Sequence, residues 1–279
     1  MTPETLLLVI SAGVLHALTH VLIKLGDDKF LVYAVVNLVG FVVAVPMWVL
    51  STPMKTVPTI AIAISIALHQ LYKVFVIASY SATDLNRAFP VARGSAPVLV
   101  FIGSIVFLGE SFTMPQLFGV ALIMLGLSLL IFQGSNLELQ RDYRGVFFAL
   151  LTGMTTAGYT LLDGQIVREV ASPFRFVALL YIFDGLLFPL AAVVVRKKTL
   201  WPFLRQNYLK ASVAGLLALV SYGAVVYAMQ SSQIGLVAVL REISIVVAAL
   251  LGGVLMRERL GWQRTMASAV VFVGILFVK

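Results

Sequence analysis

Ten apolar stretches follow one another through this chain with only short breaks between them, at approximately 5–25, 31–50, 58–80, 85–108, 114–132, 145–166, 174–195, 209–230, 233–256 and 262–278. Each has about the 17–25 residues that a helix needs to cross the hydrocarbon of a bilayer. Inside that hydrocarbon every backbone N–H and C=O must be satisfied within the protein, and these runs lack the alternation of barrel strands, so helices are the structure they can form. The sequence therefore predicts an all-α integral membrane protein with ten transmembrane helices. Composition agrees: 61% of residues are apolar and 11% charged, where soluble domains carry about 25% charged residues. The longest breaks, Gln133–Arg144 and Arg196–Lys210, are too short for a soluble catalytic domain.

The net charge of +8 does not point to nucleic acid, because most Lys and Arg residues lie in breaks between apolar runs and read as topology signals. With the N-terminus on side one, Lys55, Arg168, Arg175 and Lys279 share that side, and thirteen basic residues fall on the other, among them Arg141, Arg144, Arg196, Lys197 and Lys198. The positive-inside rule then predicts a multi-pass protein of the inner membrane with both termini extracytoplasmic. Having no cysteine, the chain has no disulfide framework, thiolate metal site or cysteine nucleophile. Residues 1–25 lack the basic start and small-residue cleavage site of a removable signal.

An internal repeat organises the rest. Shifting residues 79–131 by 148 places them on 227–279 and pairs Arg93 with Arg241, Glu110 with Glu258 and Gly126 with Gly274; an offset of 140 places Gly13 and Ala17 on Gly153 and Ala157. Each half then copies one five-helix unit, 1–135 and 136–279. Five is odd, so the halves run in opposite senses, a 5+5 inverted repeat around a central cavity, with substrate at the repeat interface and access alternating between the two sides.

These features resemble the drug/metabolite transporter superfamily, specifically proteins with two EamA domains. The resemblance is carried by the short link Tyr80–Asn86, the ends Leu108-Gly109-Glu110 and Arg257-Glu258-Arg259-Leu260, and the glycine-bearing fifth and tenth helices. The stretch Ala88-Phe89-Pro90-Val91-Ala92-Arg93-Gly94-Ser95-Ala96-Pro97, with Leu240-Arg241-Glu242-Ile243-Ser244, looks like a bacterial permease-like subgroup found near phosphonate-utilisation genes. Membership implies a transporter with a central cavity and no cofactor, and it does not fix the substrate. Small multidrug pumps of the wider superfamily use a glutamate in the first helix; here that helix offers His16 and His20.

An ionised side chain at mid-membrane depth costs at least about 2.5–3.5 kcal/mol, so intramembrane charges are candidate functional residues. Arg93 and Arg241 are the leading ones, and Arg93 shares a helix face with the helix-breaking Pro90 and Pro97. Asp184, near the middle of its span, is the first candidate to counter an arginine or bind a substrate ammonium; Tyr159, Asn37, His69 and Tyr72 complete the expected substrate-binding set. His16, His20, Lys73, Asp163 and Glu242 are candidates for coupling or gating, with Asp163 also placed to pair with Arg168, and Glu242 to answer Lys73. His16 and His20 lie four apart, but no third ligand accompanies them, so no metal site is expected. Tyr222 reads as packing, and Glu110 and Glu258 as structural caps.

The expected function is a secondary transporter, permease or exporter, moving a small polar zwitterionic or anionic metabolite, amino-acid-like or aminophosphonate-like, by alternating access. Its partners are the substrate, the lipid bilayer and a coupling proton or ion; monomer and homodimer both remain open. No Gly-rich phosphate loop is present, and the polar residues match no catalytic spacing, so an enzyme is not expected. A flippase for lipid or lipid-linked phosphate, or a non-transporting membrane subunit, stays as the alternative.

Overall fold

The computed structural model describes residues 1–24, 28–53, 59–82, 85–132, 143–170, 172–247 and 262–278. Every regular element among them is helical: α1 (Pro3–Lys24), α2 (Lys29–Leu50), α3 (Thr59–Ala82), α4 (Leu85–Leu108), α5 (Met114–Phe132), α6 (Tyr143–Glu169), α7 (Pro173–Asp184), α8 (Leu187–Val195), α9 (Lys197–Ser231), α10 (Ile234–Arg241) and α11 (Trp262–Phe277). Seven stretches among the described residues are long and apolar enough to span a membrane, and Met114–Leu130 and Thr265–Phe277 are shorter apolar helices. Large apolar side chains such as Leu50, Ile60, Phe107, Met114 and Val194 are exposed on the outside. In a bilayer that surface faces acyl chains.

Three expectations about the helices change. The run 174–195 is two helices, because α7 ends at Asp184 and the chain bends at Gly185 before α8 begins. A Cβ on Gly185 would lie 2.9 Å from the Asn37 carbonyl oxygen and 2.9 Å from Phe41 Cβ, so only glycine lets this bend sit against α2. The run 233–256 also breaks: α10 stops at Arg241, Glu242 is its C-cap, and residues 243–247 resume the helix. Around Glu242 the ladder tightens to three-residue spacing, with Glu242 N donating to Val239 O (3.2 Å) and Ile245 N to Glu242 O (2.9 Å). Third, the expected loop Arg196–Lys210 is helical. It forms the start of the 35-residue α9, about 50 Å long and so longer than the hydrocarbon is thick, which lets Lys197, Lys198, Arg205 and Lys210 ride beyond the apolar core. Glu258 and the Arg257–Leu260 stretch lie outside the described residues, as does most of the break at 133–144.

The helices pack α3 and α4 on α6, α1 on α9, α2 on α7 and α9, α5 on α11, and α10 on α4. Residues 234–240 of α10 are all buried, making it the most enclosed segment of the described core. Small residues set the close approaches, as expected where lipid gives helices no hydrophobic drive to associate. A Cβ on Gly119 would lie 2.7 Å from the Gly274 carbonyl oxygen, and one on Gly126 2.8 Å from that of Ala267. Gly13 abuts Ile243, and Gly153 abuts Ser95. Each pair of contacts maps onto the other under the sequence offsets: 119 and 274 correspond to 267 and 126 by the shift of 148, while 13 and 243 correspond to 153 and 95 by 140 and 148.

Candidate functional site

A small cavity lies where α3, α4, α6 and α10 meet. Its lining is Tyr72 and Val76 from α3, Ala92, Arg93 and Ala96 from α4, Thr152, Thr156 and Tyr159 from α6, and Arg241 from the end of α10. Ala92 and Ala96 are one turn apart on the face of Arg93, and their short side chains leave the space. The residues Thr152, Thr156 and Tyr159 recur at helical spacing on α6. The cavity measures about 30 Å³, where one water needs about 10–15 Å³ and a ligand pocket runs to about 300–1,000 Å³. This conformation therefore has room for a water or two, and a metabolite enters only if helices or side chains move apart.

Both arginines reach this space. Arg241 and Tyr159 stand together in its lining. The Arg93 Nη1 atom lies 3.7 Å from Glu242 Oε1, an ion pair just beyond hydrogen-bond reach, with the two side chains 17% and 6% exposed. The second Glu242 oxygen, Oε2, and the neighbouring Ser244 Oγ are buried and make no hydrogen bond among the described residues. Pro97, four residues after Arg93, denies the Arg93 carbonyl its helical donor. Pro90 shares α4, and its side chain lies outside what is described. On α1, His16 and His20 join Nε2 to Nε2 at 3.1 Å, their rings edge to face, and Gly13 of the same helix packs on the Arg241 carbonyl.

Behind Tyr159 lies a buried acid. Asp163 is fully enclosed and sits in a cage of donors: the Ser65 hydroxyl on Oδ1, the Tyr222 hydroxyl on Oδ2, and His69 Nε2 on Oδ2 at 3.0 Å. The His69 ring stacks on Tyr159 with centroids 4.0 Å apart, so the acid and Arg241 share one aromatic neighbour. Asp163 does not pair with Arg168. That arginine, a turn and a half further along α6, binds Glu110 Oε1 at 2.6 Å and the carbonyls of Met229 and Ser232.

A third node forms at the α7–α8 bend. Lys73 Nζ donates to Asp184 Oδ2 (2.7 Å), to the Asp184 carbonyl (3.4 Å) and to Asn37 Oδ1 (3.1 Å), while Gln70 Nε2 donates to Asp184 Oδ1 (2.9 Å). The ammonium also lies 5.2 Å from the Phe188 ring centre. A cation is favoured there because the last carbonyls of α7 point at it. Asp184 is thus neutralised by a lysine and not by an arginine, Glu242 answers Arg93 and not Lys73, and Asp184 and Asn37 stand outside the cavity lining.

Residues 143–279, about half of the chain, match the model of the EamA-like transporter family. Through that half the chain belongs to this family. A solved crystal structure superposes with a TM-score of 0.82 over 100% of this chain and 97% of its own, at 16% identity, which makes the likeness one of fold. No curated protein matches the chain. The phosphonate-associated subgroup finds no support in these comparisons.

Within this EamA-like protein the structure gathers Arg93, Arg241, Tyr72 and Tyr159 around the cavity, and holds His69 and Asp163 one layer behind. Sequence reasoning missed four polar contributors. Thr152 and Thr156 lie on the Tyr159 face at a spacing legible in the sequence, and both hydroxyls turn back onto α6 carbonyls, that of Thr152 to Phe148 and that of Thr156 to Thr152. Ser65 stands one turn before His69, also legible. Tyr222, read as packing, instead donates to Asp163, and no spacing within α9 could have shown this, because its partner lies 59 residues away.

Proposed function

We propose that this chain is a secondary transporter of small, polar, net anionic metabolites, working by alternating access between two inverted five-helix repeats. The observation that carries the reading is that Arg93 and Arg241, related by the 148-residue offset, line one cavity together with the Tyr72 and Tyr159 side chains, with no carboxylate among its described lining residues. Asp163 and Asp184, the intramembrane acids of α6 and α7, are engaged by Ser65, His69, Tyr222, Lys73 and Gln70. An anionic head group is what the two guanidinium groups can hold, each with planar, multidentate donors. A substrate ammonium, where present, would find its acceptor in the Glu242 carboxylate.

The paired glycine contacts support the repeat. Gly119–Gly274 answers Gly126–Ala267, and Gly13–Ile243 answers Gly153–Ser95, as a two-fold relation between halves of opposite sense requires. Broken helices near the centre are a recurring property of carriers built this way, and here α7–α8 and the segment after α10 are broken beside Asp184 and Glu242. On the positive-inside argument the protein sits in the inner membrane with both termini outside, so a periplasm-active reporter fused after Lys279 should be active and a cytoplasm-active one silent.

The test is counterflow in proteoliposomes with 2-aminoethylphosphonate, L-glutamate and the cationic control ethanolamine. The two anion-bearing solutes should compete for one site, ethanolamine should not, and Arg93→Ala and Arg241→Ala should each lose at least about tenfold, the equivalent of one charge-assisted hydrogen bond. Undiminished transport in both variants at normal membrane insertion would sink the site. Transport of a long-chain lipid phosphate in place of the soluble anions would establish the flippase.

A further inference from the structure

We infer that Asp163 and His69, with Tyr222 and Ser65, form a proton-binding centre that couples anion movement to proton movement in the same direction. This rests on the anion-transport reading above. Asp163 is the most enclosed carboxylate described, and its ion-pair partner among the described residues is an imidazole, which, unlike lysine or arginine, gains and loses a proton near neutral pH. The carboxylate and the imidazole share a hydrogen bond of 3.0 Å, so one proton can lie between them. With one shared proton beyond the imidazole's own N–H the pair is neutral; without it the pair carries one negative charge.

Titratable and charged groups face this pair from every helix packed around it. From α3 come His69 and Ser65, with Lys73 one turn on, already tied to Asp184. From α9 comes Tyr222, whose hydroxyl also lies 3.3 Å from His69 Nε2. From α7 comes Tyr181, its ring 6.3 Å from that of Tyr222. From α6 itself comes Tyr159, which stacks on His69 and lines the cavity beside Arg241 of α10. Arg93 of α4 lies across the cavity, facing Glu242, and His16 and His20 of α1 are joined to each other.

Charge balance then links the two ligands. Arg93, Arg241 and Glu242 sum to one positive charge, and Lys73 and Asp184 sum to zero. The empty carrier is electrically balanced when the Asp163–His69 pair has lost its shared proton. A monoanion on the arginines cancels the positive charge, and balance now requires the pair to hold the proton. Anion alone leaves a net charge of −1 in the protein core, and proton alone leaves +1; an unbalanced charge at that depth costs several kcal/mol. The fully empty and fully loaded forms are therefore the ones that reorient, and one proton travels with each monoanion. The proton enters from the aqueous phase that supplies the anion, rests between Asp163 Oδ2 and His69 Nε2, and leaves on the opposite side.

Two measurements on the full chain in liposomes decide this. Infrared difference spectra between about pH 5 and pH 9 should show carboxyl and imidazole bands that change together with pH in the wild type, a joint change that Asp163→Asn removes and Tyr222→Phe moves along the pH axis. A purely structural pair shows no such change, and the lack of any Asp163-dependent band overturns the proposal. In vesicles clamped at zero potential, wild-type protein should accumulate 2-aminoethylphosphonate up to about tenfold per unit of pH gradient, since one unit is about 1.36 kcal/mol. Asp163→Asn should retain counterflow while losing that accumulation. Gradient-driven accumulation that survives Asp163→Asn, or wild-type counterflow indifferent to the gradient, overturns the coupling. Absence of counterflow in the wild type refutes the substrate reading alone, and the infrared result then stands by itself.

Discussion

The Glu110 carboxylate offers the sharpest energetic test of how the cavity is held. α4 ends just before Gly109, whose φ of 65° places it in the left-handed region, and Glu110 N donates back to Ser104 O at 3.0 Å, which turns the chain sharply at the end of the helix. That turn aims the Glu110 side chain at the start of α10, where it accepts from Ile234 N (2.7 Å) and Gly235 N (3.0 Å). The local cap residue Gln233 contributes no side-chain hydrogen bond to the helix, so a residue 124 positions away supplies the cap. Arg168 adds its 2.6 Å bond to the same carboxylate. Hydrogen bonds to a charged group contribute about 1.5–3 kcal/mol each, and a carboxylate at a helix start gains about 0.3–1 kcal/mol from the dipole, more when buried. The Arg168 contribution is discounted, because its side chain is 34% exposed and keeps two carbonyl acceptors. Glu110→Ala should then cost about 3–5 kcal/mol, and Glu110→Gln, which keeps one acceptor oxygen, about 1–2 kcal/mol. Reversible unfolding in mixed micelles, followed by tryptophan fluorescence, measures both. A loss below about 1 kcal/mol for Glu110→Ala would mean that α10 is held by packing alone, and the capping argument would fail.

The Lys73–Asp184 pair should show the asymmetry of buried ions: Lys73→Met alone should destabilise by about 3–5 kcal/mol, and Lys73→Met with Asp184→Leu by clearly less, because no unpaired charge remains. Equal losses in the single and double variants would argue against it. Gly274→Ala should cost about 1–3 kcal/mol, since its Cβ would lie 2.8 Å from the Gly119 carbonyl and 2.9 Å from Ile123 N. Gly94→Ala, with nothing within 4 Å of its Cβ, should be neutral or stabilise by up to about 1 kcal/mol; the same unfolding assay separates the two.

Much of the fold was legible because a bilayer imposes a one-dimensional rule: a run of apolar residues of sufficient length becomes a helix. The same rule hid the bends. In the stretch from Pro173 to Val195 the interruption falls at Gly185, a single glycine in an apolar run, and only the packed structure shows its backbone lying against α2. The helical start of α9 was missed for the opposite reason. Its lysines and arginines read as a break in the apolar pattern, but charges do not oppose helix formation outside the hydrocarbon. The arginines of the site were legible because an ion in an apolar run is costly and therefore conspicuous. Which acid answers which cation was not, because pairing depends on how helices rotate about their axes, and Asp163, Asp184 and Glu242 were interchangeable until α3, α4 and α9 were packed around them.

That pairing separates the roles of the two arginines. Arg241 is the last residue of α10, so its backbone lies among the final carbonyls of a half-helix, where the dipole favours a cation. Part of the stabilisation of its charge is built into the fold, and its side chain shares the cavity wall with Tyr159. Arg93 lies within α4, well away from either helix end, and its named counter-ion stands 3.7 Å off. An anion arriving at Arg93 meets a guanidinium that faces Glu242, and one arriving at Arg241 meets a guanidinium in the same cavity wall as the tyrosine that stacks on His69. On the proposed transport cycle, an anion at Arg93 takes the place that faces Glu242. An anion at Arg241 comes to rest in the wall formed with Tyr159, one stacked ring away from the imidazole that meets Asp163.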